Sequence, residues 1–148
     1  MKAKTLALLT LLLAAPGLAY AGDKIVHFPF QNAIDAATKA GKLDGTVKFY
    51  LAGNTPNGQV TVVNVVNDEV MVNRKTNAFG KKDQDTCDWA LQSALISLQD
   101  MAKKAGANAV TDIVSDYGNE YRDSHNYECH VGFLMSGVIM KGKLAHVQ

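Results

Sequence analysis

The chain has two cysteines, and the patterns around them fix where each points. Cys87 lies in "KKDQDTCDWALQSAL". Advancing 100° per residue from it, Ala90, Leu91, Ala94, Leu95, Leu98, Met101, Ala102 and Ala105 fall on its side of a helix. Asp88, Gln92, Gln99, Asp100 and Lys103 fall away from it. Cys87 therefore belongs to the buried stripe of an amphipathic helix. That helix is expected to begin after an acidic cap in "DQDT", with Asp85 or Thr86 as the capping acceptor, and to end at Gly106. The second cysteine sits in "YECHVGFLM", where Tyr127, Cys129, Val131, Phe133 and Met135 alternate with more polar positions. A period of two predicts a strand with one buried face. Both sulfurs then point into one interior, which predicts a helix-to-strand disulfide; the alternative is two buried free thiols.

The opening "MKAKTLALLTLLLAAPGLAYAGDK" gives that pairing a setting. Lys2 and Lys4 form a basic start. The apolar run that follows is shorter than the roughly 20 residues needed to span a bilayer. Ala19-Tyr20-Ala21 offers small residues for cleavage. The expectation is a signal peptide over residues 1–21 and one domain over 22–148, periplasmic or secreted, where disulfides persist. The alternative is an uncleaved anchor. No second apolar span follows, so no membrane span is expected after cleavage. The formal net charge is +1, and it becomes slightly negative without Lys2 and Lys4. Such a balance gives no electrostatic drive toward nucleic acid.

Further strands are expected in "TVKFYL", "QVTVVNVV", "DEVMVNRK" and "NAVTDIVSDY". A turn is expected at "NTPNG" (Asn54 to Gly58), and a last strand through "SGVIMKG" with Gly137 as a bulge. In "NAVTDIVSDY" the uncharged side is Ala109, Thr111, Ile113, Ser115 and Tyr117. "QNAIDAATKAGKL" reads as a short helix ending near Gly41. The predicted fold class is α+β: an antiparallel-dominated sheet of four to five strands, one long helix packed on one face, and a short N-terminal helix. Trp89 and Ile96 project opposite the helix's buried stripe. They mark a contact with the segment "IVHFPF" or with another subunit, or else a partly exposed tryptophan.

Chemistry is sparse. Gly80-Lys81 lacks the spacing and hydroxyl of a phosphate loop. "DSHNYECH" groups His125, Glu128 and His130, the one candidate metal set, without a standard zinc spacing. No C-x-x-C pair or nucleophile elbow occurs, so neither a catalytic residue nor a cofactor is expected. Arg74, Lys75, Lys81 and Lys82 bracket "TNAFG" and read as a solvated loop with gatekeeper charges.

Three stretches carry a family resemblance: "VKFYLAG", "RKTNAFGKKDQDTCDWALQSALISLQDMAKKAGANAV" and "YECHVGFLMSGVIMKG". They resemble a set of small exported bacterial proteins that often carry an excinuclease ATPase subunit label, which the absent phosphate loop does not support. The helix followed by "GANAV" and a cysteine-bearing last strand is more distantly similar to the Rcs-system outer-membrane sensor lipoprotein. It is also similar to small pentameric domains labelled as heavy-metal binders. The first of these implies a helix-to-strand disulfide at Cys87 and Cys129. The second implies self-association, with Trp89 and Ile96 as a contact. Together these readings point to a non-enzymatic binding or envelope-sensing module, with an unknown envelope protein or a second copy as partner. The alternative is a metal-binding protein that uses the His125, Glu128 and His130 region.

Overall fold

The structure is a computed structural model and describes residues 23–54 and 61–148. The expected leader over 1–21, and all of the Asn54–Gly58 turn except Asn54, lie outside the described residues. Chain order is β1 (Lys24–Pro29), α1 (Phe30–Lys39), β2 (Lys48–Leu51), β3 (Val62–Asn77), α2 (Asp83–Lys104), β4 (Ala109–Asp116), β5 (Glu120–Tyr121), β6 (Asn126–Val131) and β7 (Met135–Val147).

The strands form one seven-stranded sheet in which β1, β6, β7, β4 and β2 are neighbours in that order; β3 pairs with β7 and β5 with β4. The pivot is β7. Along one edge β3 runs antiparallel to it from end to end. Its other edge is shared: β6 pairs at Ser136 and Gly137, and β4 pairs over Met140–Ala145. Two strands abutting one edge splay the sheet, which curls around the helices. The β2–β4 pair is parallel, and its crossover holds both β3 and α2. The expected antiparallel-dominated sheet of four to five strands under one long helix is thereby corrected. Among the described residues the sheet has seven strands, is mixed and curled, and carries two helices, with α1 lying against α2.

The two elements expected in "QVTVVNVV" and "DEVMVNRK" are one strand. The irregularity read in the sequence appears as register shifts between Val62 and Val70, after which β3 is regular to Asn77. In β4 the pairing shifts between Thr111 and Val114, where Asp112 adopts a left-handed backbone (φ 51°). Asp is among the residues that tolerate this region. The bulge brings Val110 and Ile113, three apart, into the same core. The strict alternation expected for Ala109 through Tyr117 is broken there.

Helix α2 starts one turn earlier than read, at Asp83. Its N-cap, Lys82, makes no side-chain cap, and the Thr86 hydroxyl donates back to the Asp83 carbonyl instead. Asp83 and Asp85 in the first turn, and Lys103 and Lys104 in the last, suit the helix dipole. Gly106 (φ 72°) ends the helix as expected, with the Ala107 N–H reaching the Ala102 carbonyl.

The helix buries Cys87, Ala90, Leu91, Ala94, Leu95, Leu98 and Ala102 completely or nearly so. Each such leucine contributes about 1.5–3 kcal/mol. Gln92 and Gln99 are also buried, against expectation. Covering this flank is α1 with the loop after it: Gln99 Oε1 accepts from the Asp44 N–H at 3.0 Å, and its amide donates to the Lys42 carbonyl. Met101, expected inside, is exposed.

Candidate functional site

Cys87 and Cys129 are joined in a disulfide across 42 residues, with Cα atoms 5.9 Å apart. No free cysteine exists among the described residues. The bond pins the first turns of α2 under β6. Beside it, the fully buried Tyr127 donates its hydroxyl to Asp88 Oδ1 at 2.6 Å, and Thr86 and Ser136 share a hydrogen bond at 2.8 Å. With the core side of β6 fixed in this way, Glu128 and His130 must lie on the opposite face of the sheet.

That outer face carries the site. Val26 and Phe28 of β1 pack on the core, so Ile25 and His27 point outward next to β6. The Glu128 carboxylate sits between two imidazoles: His130 Nε2 is 3.0 Å from Oε1, and His27 Nε2 is 3.3 Å from Oε2. Each ring is capped by a tyrosine. Tyr117 stacks on His130 at 3.5 Å between centroids, and Tyr121 stacks on His27 at 4.2 Å. The Glu128 backbone N–H donates to Ser115 Oγ at 2.9 Å, tying β6 to β4. The Tyr117 hydroxyl is buried and has no hydrogen-bond partner among the described residues. Burial, and then the charges of Asp23 and Glu128, push its pKa up to about 12. It therefore stays a neutral donor at any physiological pH.

A groove of about 400 Å³ opens over this floor. Tyr117 and His130 form its base, Asp23 and Lys75 its polar wall, and Leu134 and Met135 its apolar rim. Two glycines make room for it. A Cβ on Gly137 would lie 3.1 Å from the Tyr117 hydroxyl, and one on Gly132 would lie 2.9 Å from Asp23 Oδ1. Gly137 is therefore a close-approach residue and not the bulge expected from sequence: its pairing with Lys75 and His130 is in register.

The strand read through "YECHVGFLM" is in fact a hairpin. Strand β6 ends at Val131, the chain turns at Gly132–Leu134, and β7 begins at Met135. Phe133 and Met135, expected in the core, are 80% and 44% exposed. Phe133 meets Phe79 edge-on at 5.3 Å, and the Ala78 N–H donates to the Leu134 carbonyl at 2.8 Å. An apolar tip thus stands at one end of the groove.

The other sequence-predicted residues are dispersed. His125 precedes β6, shares a hydrogen bond with Ser124 Oγ at 2.8 Å, and lines a separate cleft of about 730 Å³ with Phe30, Phe49 and Tyr50. The cleft and the groove share no lining residue. Of the metal set only Glu128 and His130 meet. Among the described residues no three His, Cys, Asp or Glu side chains gather as a metal-holding group. Trp89 is 48% exposed, with Lys81 Nζ 5.8 Å from its ring centroid. Ile96 is partly buried against the core, and "IVHFPF" is spent on β1 and the start of α1.

Sequence reading missed His27, Tyr117, Tyr121, Gly132 and Gly137. The alternation in "KIVHFP" was the signal for His27, since it places Ile25 and His27 on one face. No helix among the described residues is long and apolar enough to cross a membrane. No family model matches the chain, and no curated protein does.

Proposed function

We propose that this chain is an exported, non-enzymatic binding or envelope-sensing module that works through the outer face of its sheet. The observation that carries the reading is the floor at Tyr117, His130, Glu128 and His27. Its rings and carboxylate satisfy one another, its buried hydroxyl has a donor to spare, and two glycines keep the space above it open. Interlocked groups of this kind hold a shape for recognition. The disulfide supports an oxidising compartment. The likeness of the helix, "GANAV" and the cysteine-bearing strand to the Rcs-system sensor lipoprotein supports an envelope role.

Expressed as the full chain, the protein should fractionate outside the cytoplasm and begin at Gly22. The purified product should turn over neither nucleotides nor peptides. Turnover abolished by a point change at His130, or a cytoplasmic product that keeps residues 1–21, overturns the reading. Titration with zinc addresses the metal alternative: stoichiometric binding lost in His130→Ala would replace a recognition floor with a metal site.

A further inference from the structure

The apolar tip forms the rim of the groove, where Phe133, Leu134 and Met135 line it. Its four large side chains come from the loop after β3, the β6–β7 turn and the first residue of β7: Phe79 at 58%, Phe133 at 80%, Leu134 at 58% and Met135 at 44% exposure. Large apolar side chains exposed together in this way are unlike a core and mark an interaction surface. Its surroundings are basic. Lys75 lines the same groove as Leu134 and Met135. Lys81 reaches the Asn77 carbonyl and Oδ1 at 3.2 and 3.3 Å while lying over Trp89, and Lys82 follows it in sequence. Among the described residues none of these three lysines has a carboxylate partner, whereas Asp83 is already paired with Lys24. Asp23 is the one carboxylate lining the adjoining groove.

The backbone at the tip is internally bonded at several points. The Gly132 N–H donates to the Met135 carbonyl, Ala78 N–H to Leu134, Lys81 N–H to Ala78, and Phe79 N–H to Asn77 Oδ1. Entry into an apolar medium leaves these groups satisfied, which is the condition such a medium imposes. The exposed Trp89 lies at the margin, where an amphipathic ring suits a membrane–water boundary.

We infer that the Phe79–Phe133–Leu134–Met135 tip inserts shallowly into the headgroup region of an anionic bilayer, with Lys75, Lys81 and Lys82 on the lipid phosphates. Apolar wedge and cationic collar act together, as they do in interfacial attachment. The lysine stems can lie along the apolar surface while the amines stay at headgroup level. The inference rests on the exported reading only in that the chain must reach a membrane surface. It makes no use of the groove floor.

The test uses the oxidised chain from Gly22 to Gln148 and vesicles of phosphatidylglycerol and phosphatidylethanolamine, against vesicles of phosphatidylcholine alone. Trp89 is the only tryptophan and reports directly. Expected are sedimentation with the anionic vesicles, a blue shift of Trp89 emission, and weaker partitioning at high salt. Phe133→Ser/Leu134→Ser should lower the partition coefficient at least about tenfold while circular dichroism and the disulfide stay intact. His130→Ala should leave partitioning unchanged, which separates this result from any failure of the groove. No partitioning of the wild-type chain at low salt overturns the inference and gives the tip to a protein partner. Equal partitioning of the wild-type and double-serine chains overturns it as well.

Discussion

Asp88 shows how a single residue can resist a pattern. The helical wheel turns it away from the core, yet Tyr127 reaches it from β6 and draws it half under cover. Burial raises its carboxyl above the ordinary range, the tyrosine hydrogen bond partly opposes this, and the Asp85 charge adds to it. A carboxyl whose folded pKa is raised stabilises the fold most when protonated. Its contribution is whole below the unfolded value near 4 and is lost as pH rises through the folded value. Asp88→Asn keeps Oδ1 as an acceptor for Tyr127 and removes the charge. Its melting temperature relative to wild type should therefore rise between pH 3 and pH 7. A relative melting temperature that is flat or falls with pH would contradict the assignment. At the alkaline end Tyr117 behaves in the same sense. Its neutral form is the folded one, so that contribution persists below pH 10 and disappears toward 12.

Among elements, α2 and β6 were legible because each has one dominant period and one dominant buried face. What escaped were the interruptions. A three-residue reversal at Gly132–Leu134 leaves the odd–even parity of "YECHVGFLM" intact, so counting parity carried Phe133 into a core it never enters. The bulge at Asp112 and the parallel pairing of β2 with β4 are set by distant neighbours and leave no local trace. For the site, Glu128 and His130 could be picked out in sequence. Their partners were harder to find: alternation in "KIVHFP" could turn His27 outward, but only the sheet brings β1 and the end of β4 beside β6. The hairpin ladder offers a sharp test. An added methyl in Gly137→Ala would press on Tyr117, on the Lys75 side chain and, at 3.3 Å, on the Arg74 carbonyl of β3. Backbone cannot swing aside as a side chain does, so the variant should lose about 1–3 kcal/mol. Denaturant melts would measure that loss, and a neutral result would mean that the groove floor is looser than drawn.

For the whole molecule the controlling feature is one covalent tie across a sheet whose strands converge on β7. In the chain-entropy account, closing a loop of this length is worth about 4 kcal/mol. Cys87→Ser, or treatment with a thiol reductant, should lower the melting temperature by roughly 10–20 °C. Scanning calorimetry with and without reductant would check this, and an unchanged midpoint would show the bond to be ornamental. The surface ion pairs contribute far less. Arg122 with Asp112 and Glu120 is well placed at 3.0 and 2.8 Å but substantially in water, where such pairs are individually worth at most about 1 kcal/mol.

Cys129 stands between Glu128 and His130 on the same strand, so its sulfur and the recognition floor share three consecutive residues. Oxidation thus stiffens the strand that carries the floor as well as stabilising the fold. A copy still bathed in thiols would carry its acid and imidazole on a strand held by β1 and β7 alone, without the covalent brace to the helix beneath.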